Sequence, residues 1–494
     1  MRYSWRMIQW LLPHLSAVLL VLFETAMLVL ALIVAPRDRL PSAALAWILV
    51  IVAVPVLGIL LFLVIGNPKL PPQRRERQRS MNARIEEYAR VVEHPAPGRD
   101  TPRWLTDIVR LNRSVGAFPL LDGNEAALLP HFEEQIRALT DAVRSATTFV
   151  HAEFYTLALD EGTEPFFAAL EDAVGRGVNV RVLADHLGSR HYPGFRRARA
   201  FFERTGIEWH LMLPVQPLRG RYQRLDLRNH RKLVVVDGTL GFVGSLNLIE
   251  PGYELAVNRR KGLRWRDLLV EVRGPVVQEV DQIFATDWYS ETHEVLRTSR
   301  VEGVADDADP QTLLCQIAPS GPAFEAENNL ALFNSLIYAA ERRLCITSPY
   351  FVPDQSLLAA ILTAAKRGVE VELFVGEIVD QAMVFHAQHS YYAALLEAGV
   401  TIRLYPAPTI LHAKSMTVDD LVTVVGSSNM DIRSFQLNFE LSMLVCSRSF
   451  TDRLRRVEDE YRGVSRRLTR EEWAKRSSGH RVLDDLARLT SALQ

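Results

Sequence analysis

Apolar residues gather first into two long runs and then into short runs separated by amphipathic stretches. Leu15 to Ala35 is 21 residues, interrupted only by Ser16, Glu24 and Thr25, and Ala43 to Ile65 is 23 residues without a charge. Each is long enough to cross a ~30 Å hydrocarbon core as a helix. The pattern therefore predicts a transmembrane hairpin, helices about 15–35 and 43–65, joined by Pro36-Arg-Asp-Arg-Leu-Pro-Ser42. Further on, Arg176-Gly177-Val178-Asn179-Val180 leads into the apolar run Arg181 to Ala184, and Arg367-Gly368-Val369-Glu370-Val371 leads into Glu372 to Val375. Each reads as a helix ending at a glycine and then a buried strand. Strand-like runs precede them at Thr148 to Leu157 and Leu344 to Val352. Strands alternating with helical stretches predict βαβ units. The expected fold is α/β, with two pseudo-symmetric domains holding mixed, mainly parallel sheets flanked by helices. The expected boundaries are 1–70 for the hairpin, 71–115 for a basic linker, 116–305 for the first domain and 306–494 for the second with a basic C-terminal tail.

The two domains carry one motif twice. His230-x-Lys232-x4-Asp237 recurs as His412-x-Lys414-x4-Asp419, and Gly244, Ser245 and Asn247 follow His230 at the same steps of 14, 15 and 17 residues at which Gly426, Ser427 and Asn429 follow His412. A motif repeated in register points to two half-sites meeting at one centre. Each His-x-Lys opens a strand, so alternation puts its imidazole and ammonium on the same side of the chain. Two such pairs would surround one small anion, most simply a phosphodiester. Its chemistry needs neutralised oxygens, an in-line nucleophile and a proton for the departing alkoxide. Lys232 and Lys414 suit the first task, with Asn247 and Asn429 as neutral donors. One histidine suits the second as a phosphohistidine, and the other the third. The repeat does not choose between them. Two roles are open to Asp237 and Asp419, orienting a histidine or terminating a strand. The scheme calls for no metal and no cofactor.

Charge then places this chemistry. The net charge is −1, so the whole chain is not a polyanion binder. Its basic residues cluster, however, at Arg74 to Arg79, at Arg219, Arg221, Arg224 and Arg228, and at Arg466, Arg467, Arg470, Lys475 and Arg476. With Arg2, Arg6, Lys69 and the first cluster outweighing Arg37 and Arg39, the positive-inside rule puts both termini and the body on the cytoplasmic side. A cleaved signal peptide ending at Ala44-Leu-Ala46 fits less well, because the first run is too long and the cut would open the second. Glu24 reads as tolerated in its span and Pro55 as a kink. The segment Gln73 to Asp100, with Pro95-Ala-Pro97, reads as a spacer from the bilayer, and Asp306 to Pro310 as the join between halves. Trp473 to Leu493 has an amphipathic pattern that suits either a membrane interface or packing on the body. Cys315, Cys345 and Cys446 show no metal-ligand spacing and agree with a reducing compartment.

These motifs resemble the phospholipase D superfamily, and within it the bacterial cardiolipin synthases. The resemblance runs through Phe149 to Tyr155, Arg228-Asn-His-Arg-Lys232, Trp265-Arg-Asp267, Ser348-Pro-Tyr-Phe-Val-Pro-Asp354, Leu411 to Asp419, Gly426 to Ser434 and Leu437-Asn-Phe-Glu440. It implies His230 as nucleophile and His412 as general acid and base, with Lys232, Asp237, Lys414 and Asp419 completing the catalytic set. Asn247, Asn429, Ser245 and Ser427 would support the phosphate, and Glu440 and Glu254 would hold a histidine from behind. Leu268 and Leu269, and Gly376-Glu377, depart from the family pattern. The implied reaction transfers a phosphatidyl group from one phosphatidylglycerol to another and releases glycerol. It would take place at the inner membrane, with phosphatidylglycerol and cardiolipin as partners, no nucleic acid, and oligomers forming through the hairpin. A hydrolase of the same superfamily, and a transferase using phosphatidylethanolamine as donor, are the alternatives.

Overall fold

Short apolar strands whose residues alternate in facing are assembled, in the computed structural model, into a 16-stranded mixed sheet. The structure describes residues 17, 18, 22, 25–30, 32–37, 41–66, 70–91, 102–216, 224–296, 312–324 and 326–489. Four antiparallel strands occupy the middle of the sheet, in the order Asn438–Cys446, Leu313–Ser320, Leu121–Leu129 and Leu269–Arg273. From Leu269–Arg273 the sheet continues outward through Leu240–Gly244, Leu233–Val236, Phe149–Phe154, Asn179–Asp185 and Glu208–Met212. From Asn438–Cys446 it continues through Val422–Gly426, Ser415–Val418, Arg343–Thr347, Glu370–Gly376 and Thr401–Tyr405. Apart from the two-residue edge strand Arg466–Arg467, which lies antiparallel beyond Thr401–Tyr405, the two wings have the same order, and each turns from antiparallel to parallel at the same step.

Along this path the parallel pairs are Phe149–Phe154 with Asn179–Asp185, Asn179–Asp185 with Glu208–Met212, Arg343–Thr347 with Glu370–Gly376 and Glu370–Gly376 with Thr401–Tyr405, so the sheet is not mainly parallel. The physical reason is a tight turn after each His-x-Lys strand. Asp237 and Gly238 both have positive φ, 52° and 69°, and Thr239 N–H donates to Val236 O. That is the Asp-Gly hairpin geometry, and it can join only antiparallel neighbours.

Alternation along the strands feeds three cores. Val150, Ala152 and Phe154 face the helices Phe132–Ser145, Glu164–Gly175 and Pro193–Thr205. Leu344 and Ile346 face Asn328–Ala339, Gln355–Lys366 and Ala382–Ala398. On the other side of the sheet, Leu233, Val270, Ile317 and Met443 pack with Val276–Thr292 and Arg448–Val464, in one core shared by both halves. All three cysteines are buried thiols.

Two compact units are distinguished, one of residues 1–70 with 224–226 and the other of 71–223 and 227–494. In the first, Pro41–Ala53 and Pro55–Ile65 are separate helices of 13 and 11 residues. Val54 leaves the helix at φ −140°, ψ 78°, as expected of a residue before proline. Pro55 is therefore a kink, and among the described residues no helix is long and apolar enough to cross a membrane. Glu24, the 95–97 turn and the 306–310 join lie outside the described residues. In the second unit, the arginine-rich stretch expected to be a linker is a 20-residue helix, Pro72–Val91. Met81 and Ile85 are buried, and Arg74 pairs with Glu291 of the helix Val276–Thr292 (2.5 Å).

Candidate active site

Each histidine is delivered by a short strand that pairs with the opposite half of the chain. Arg228–Asn229 lies parallel to Asn438–Phe439, and His230 N–H donates to Phe439 O at 2.9 Å. Thr409–Leu411 lies parallel to Arg264–Arg266, and His412 N–H donates to Arg266 O at 2.8 Å. The residue after each of these partners is a carboxylate, so the ladder itself sets the side-chain contact. His230 Nδ1 lies 3.0 and 3.1 Å from the two Glu440 oxygens, and His412 Nδ1 lies 2.6 Å from Asp267 Oδ1. With Nδ1–H donating, Nε2 of each ring is left to carry either a lone pair, as a nucleophile or base needs, or a second proton, as an acid needs. No described residue hydrogen-bonds to either Nε2.

The Gly-Ser-x-Asn turns hold these carboxylates. Ser245 Oγ donates to Asp267 Oδ1 (2.7 Å) and accepts from Leu268 N–H (2.9 Å). Ser427 Oγ donates to Glu440 Oε2 (2.5 Å) and accepts from Leu441 N–H (2.9 Å). The glycine before each serine leaves room for that crossing strand. A Cβ at Gly244 would fall 2.3 Å from Leu268 O, and one at Gly426 would fall 2.2 Å from Leu441 O. Leu268, a departure from the family pattern, is thus a core residue placed as Leu441 is.

Both lysines are buried, and each folds back on its own motif. Lys232 Nζ donates to His230 O (2.7 Å) and Lys414 Nζ to His412 O (2.6 Å). Tyr155 closes one side, its ring edge-on to His230 at 4.9 Å and 5.2 Å from Lys232 Nζ. Asn247 donates to Tyr253 Oη (2.7 Å) and accepts from Thr156 N–H (3.2 Å), while the Asn429 side chain makes no hydrogen bond to a described residue.

Burial and mutual charge shift every one of these groups. Burial pushes His230 well below the ordinary imidazole range, and Lys232, Lys414 and His412 add to it. Burial and Lys414 also lower His412, but Asp267 opposes them. Burial brings Lys414 down to about 8 and Lys232 well below its usual range. The two carboxylates part company. Burial lifts Glu440 to about 7, whereas the His412 and Lys414 charges outweigh burial at Asp267 and hold it below the usual carboxylate range.

Three expected site residues stand elsewhere. Asp237 and Asp419 touch neither His230 nor His412; they lie at the far ends of their strands, on the order of 20 Å along the chain from them. Asp237 accepts from the backbone N–H groups of Thr147, Thr148 and Phe149, and Asp419 from those of Glu341, Arg342 and Arg343. Glu254 accepts from Gly194 N–H (2.6 Å) and pairs with Arg197. The carboxylate expected of it behind a histidine is Asp267. A signal for Asp267 was present, since an acid followed by Leu occurs in both halves. It was obscured because Glu440 follows His412 by 28 residues and Asp267 follows His230 by 37, the helix Ala256–Lys261 intervening.

The model of the cardiolipin synthase, phospholipase D-like domain matches this chain twice, over residues 139–288 and 333–460, and so takes in both histidines. The chain belongs to the cardiolipin synthase family. A second model, for a phospholipase D-nuclease N-terminal region, matches residues 26–67. Cardiolipin synthase A of Serratia proteamaculans is 32% identical over 475 residues, covering 91% of this chain and 92% of that protein. Cardiolipin synthase A of Pectobacterium carotovorum is 31% identical over 460 residues, with the same coverage. The crystal structure of a phosphatidylserine synthase from Haemophilus influenzae is similar in fold at a TM-score of 0.58 and 14% identity, covering 78% of this chain and all of that one.

Proposed function

We propose that the chain is a membrane phosphatidyltransferase that makes cardiolipin from two phosphatidylglycerols. The observation that carries this reading is the pair of imidazoles, each held at Nδ1 by a buried carboxylate of the other half, with a buried lysine bonded to the backbone of each histidine. His230 Nε2 attacks phosphorus as the bond to the glycerol headgroup breaks, and His412 gives its proton to the departing alkoxide. A hydroxyl of the second phosphatidylglycerol then loses its proton to His412 and attacks phosphorus, breaking the P–N bond. Lys232 and Lys414 neutralise the non-bridging oxygens, with the free carboxamide of Asn429 as a further donor. The division of labour is supported by the carboxylates. Beside the anionic Asp267, His412 keeps a proton more readily, whereas His230 is held neutral and able to attack.

The apolar leader serves as the anchor. Two runs, 15–35 and 43–65, form a membrane hairpin with the body and both termini on the cytoplasmic side, and two pseudo-symmetric domains share the site. The match of residues 26–67 to a family N-terminal model supports this, as do outward-facing side chains such as Leu45, Leu49 and Val56, which are 64, 70 and 64% exposed. The hairpin also offers a surface for oligomers.

The test is to incubate the full chain in vesicles with labelled phosphatidylglycerol as the only lipid substrate. Cardiolipin with equimolar glycerol is expected, lost in His230→Ala and His412→Ala. Phosphatidic acid as the main product would make the protein a hydrolase, and turnover only after phosphatidylethanolamine is added would change the donor.

A further inference from the structure

The helix Ser478–Leu489 turns its apolar side away from the protein. Its buried residues are Asp484 and Ala487. Asp484 accepts from His386 Nδ1 at 2.8 Å and pairs with Arg476. Val482, Leu483, Leu486 and Leu489 are 59, 47, 55 and 81% exposed. At 3.6 residues per turn these four fall in an arc of about 120° opposite the Asp484 side. A helix that simply packs on a globular body shows the reverse arrangement, its apolar arc being what docks it. The segment is nevertheless pinned: Trp473 meets His389 and Tyr392 at 5.2 and 5.0 Å, and Arg476 lies 3.7 Å over its face.

Charge indicates what covers the exposed arc. Residues 466–489 hold seven Arg or Lys against four Asp or Glu, and Asp484 is one of those four. Lys475 is exposed just before the helix, while Arg481 and Arg488 lie on the Asp484 side, Arg481 donating to Ala474 O and Arg476 O and Arg488 lying 5.0 Å over the Tyr391 ring. We infer that this helix lies in the headgroup layer of an anionic bilayer, with Val482, Leu483, Leu486 and Leu489 among the acyl chains and the net positive charge of residues 466–489 drawing the segment to the surface. A second copy of the chain fits the patch poorly. A two-fold contact would bring two net-positive segments together, and four aliphatic side chains fall short of the roughly 800 Å² per partner that stable interfaces bury. The inference concerns how the body sits on its surface and stands apart from the lipid chemistry proposed above.

The buried native thiols make a direct test practicable, because a cysteine added at the surface is the reactive one. The full chain carrying Leu486→Cys is labelled with an environment-sensitive fluorophore and reconstituted in vesicles of phosphatidylglycerol and phosphatidylcholine. A second protein carries the label at Glu203→Cys, on the exposed side of Pro193–Thr205. The label at 486 should shift to the blue and lose most of its emission to brominated acyl chains, while the label at 203 should do neither. An unshifted, unquenched label at 486 would overturn the inference. So would a blue shift that brominated lipid leaves unquenched and that fades as protein is diluted in lipid, since a second copy would then be the cover.

Discussion

Two buried carboxylates set the working states of two imidazoles, and they do so unequally. Asp267 is held anionic beside His412, while Glu440 is lifted to about 7 beside His230. Replacing either with its amide leaves the hydrogen-bonded shape but removes the negative charge and lets an amide N–H face Nδ1, so the ring tautomer is no longer fixed. Asp267→Asn and Glu440→Gln should each lower kcat by about 10²- to 10⁴-fold, read from cardiolipin formation in vesicles. Lys414 carries a different prediction. Its folded value of about 8 lies below the unfolded value of 10.5, so between these pH values the unfolded chain binds the extra proton. Its contribution to stability therefore rises with pH across that window, while kcat/KM falls because the charge that meets phosphate is lost. Thermal unfolding and kcat/KM measured from pH 7 to 10 should move in opposite directions, and Lys414→Met should remove this part of the stability dependence. Asp237 supplies the contrast. Asp237→Ala strips the acceptor from three backbone N–H groups and should cost about 2 kcal/mol of stability, yet leave kcat of the folded protein unchanged. A fall in kcat matching that of Asp267→Asn would refute the structural role.

At the scale of elements, what was legible is what depends on local identity. The His-x-Lys strands, the Gly-Ser-x-Asn turns and the helix-Gly-strand units at Gly177 and Gly368 stand where periodicity places them. What was missed depends on partners distant in sequence. Sheet direction rests on the turn at Asp237-Gly238, and the sequence leaves Asp237 open between orienting a histidine and ending its strand. Asp267 was passed over as a histidine partner because a helix insertion displaced it from the register of Glu440. The stretch 71–115, expected as a basic linker, contains the helix Pro72–Val91, whose contact with the body depends on a partner 217 residues away. Arg74 in fact reaches Glu291, which also accepts from Leu213 N–H at 2.9 Å, and both charged side chains are under 10% exposed. Breaking such a pair from one side strands a buried charge. Glu291→Ala should therefore lower stability by about 3 kcal/mol in thermal unfolding of the detergent-solubilised chain, whereas Glu76→Ala on the exposed face of the same helix should leave it unchanged.

At the scale of the molecule, neither half completes a histidine by itself. The strand before His230 pairs with residues 438–439 and its carboxylate is Glu440; the strand before His412 pairs with residues 264–266 and its carboxylate is Asp267. Leu313–Ser320 and Leu121–Leu129 knit the halves through one uninterrupted sheet, and the core behind them draws on both. The site is therefore built within one chain. Full-length His230→Ala and His412→Ala proteins, co-expressed and reconstituted together, should give no more cardiolipin than either alone. If subunits exchanged halves to build their sites, a mixed oligomer would contain one centre with both histidines intact, and activity would return. Its absence, with both variants confirmed in the same particles by crosslinking, would establish that the two copies of His-x-Lys serve each other in cis.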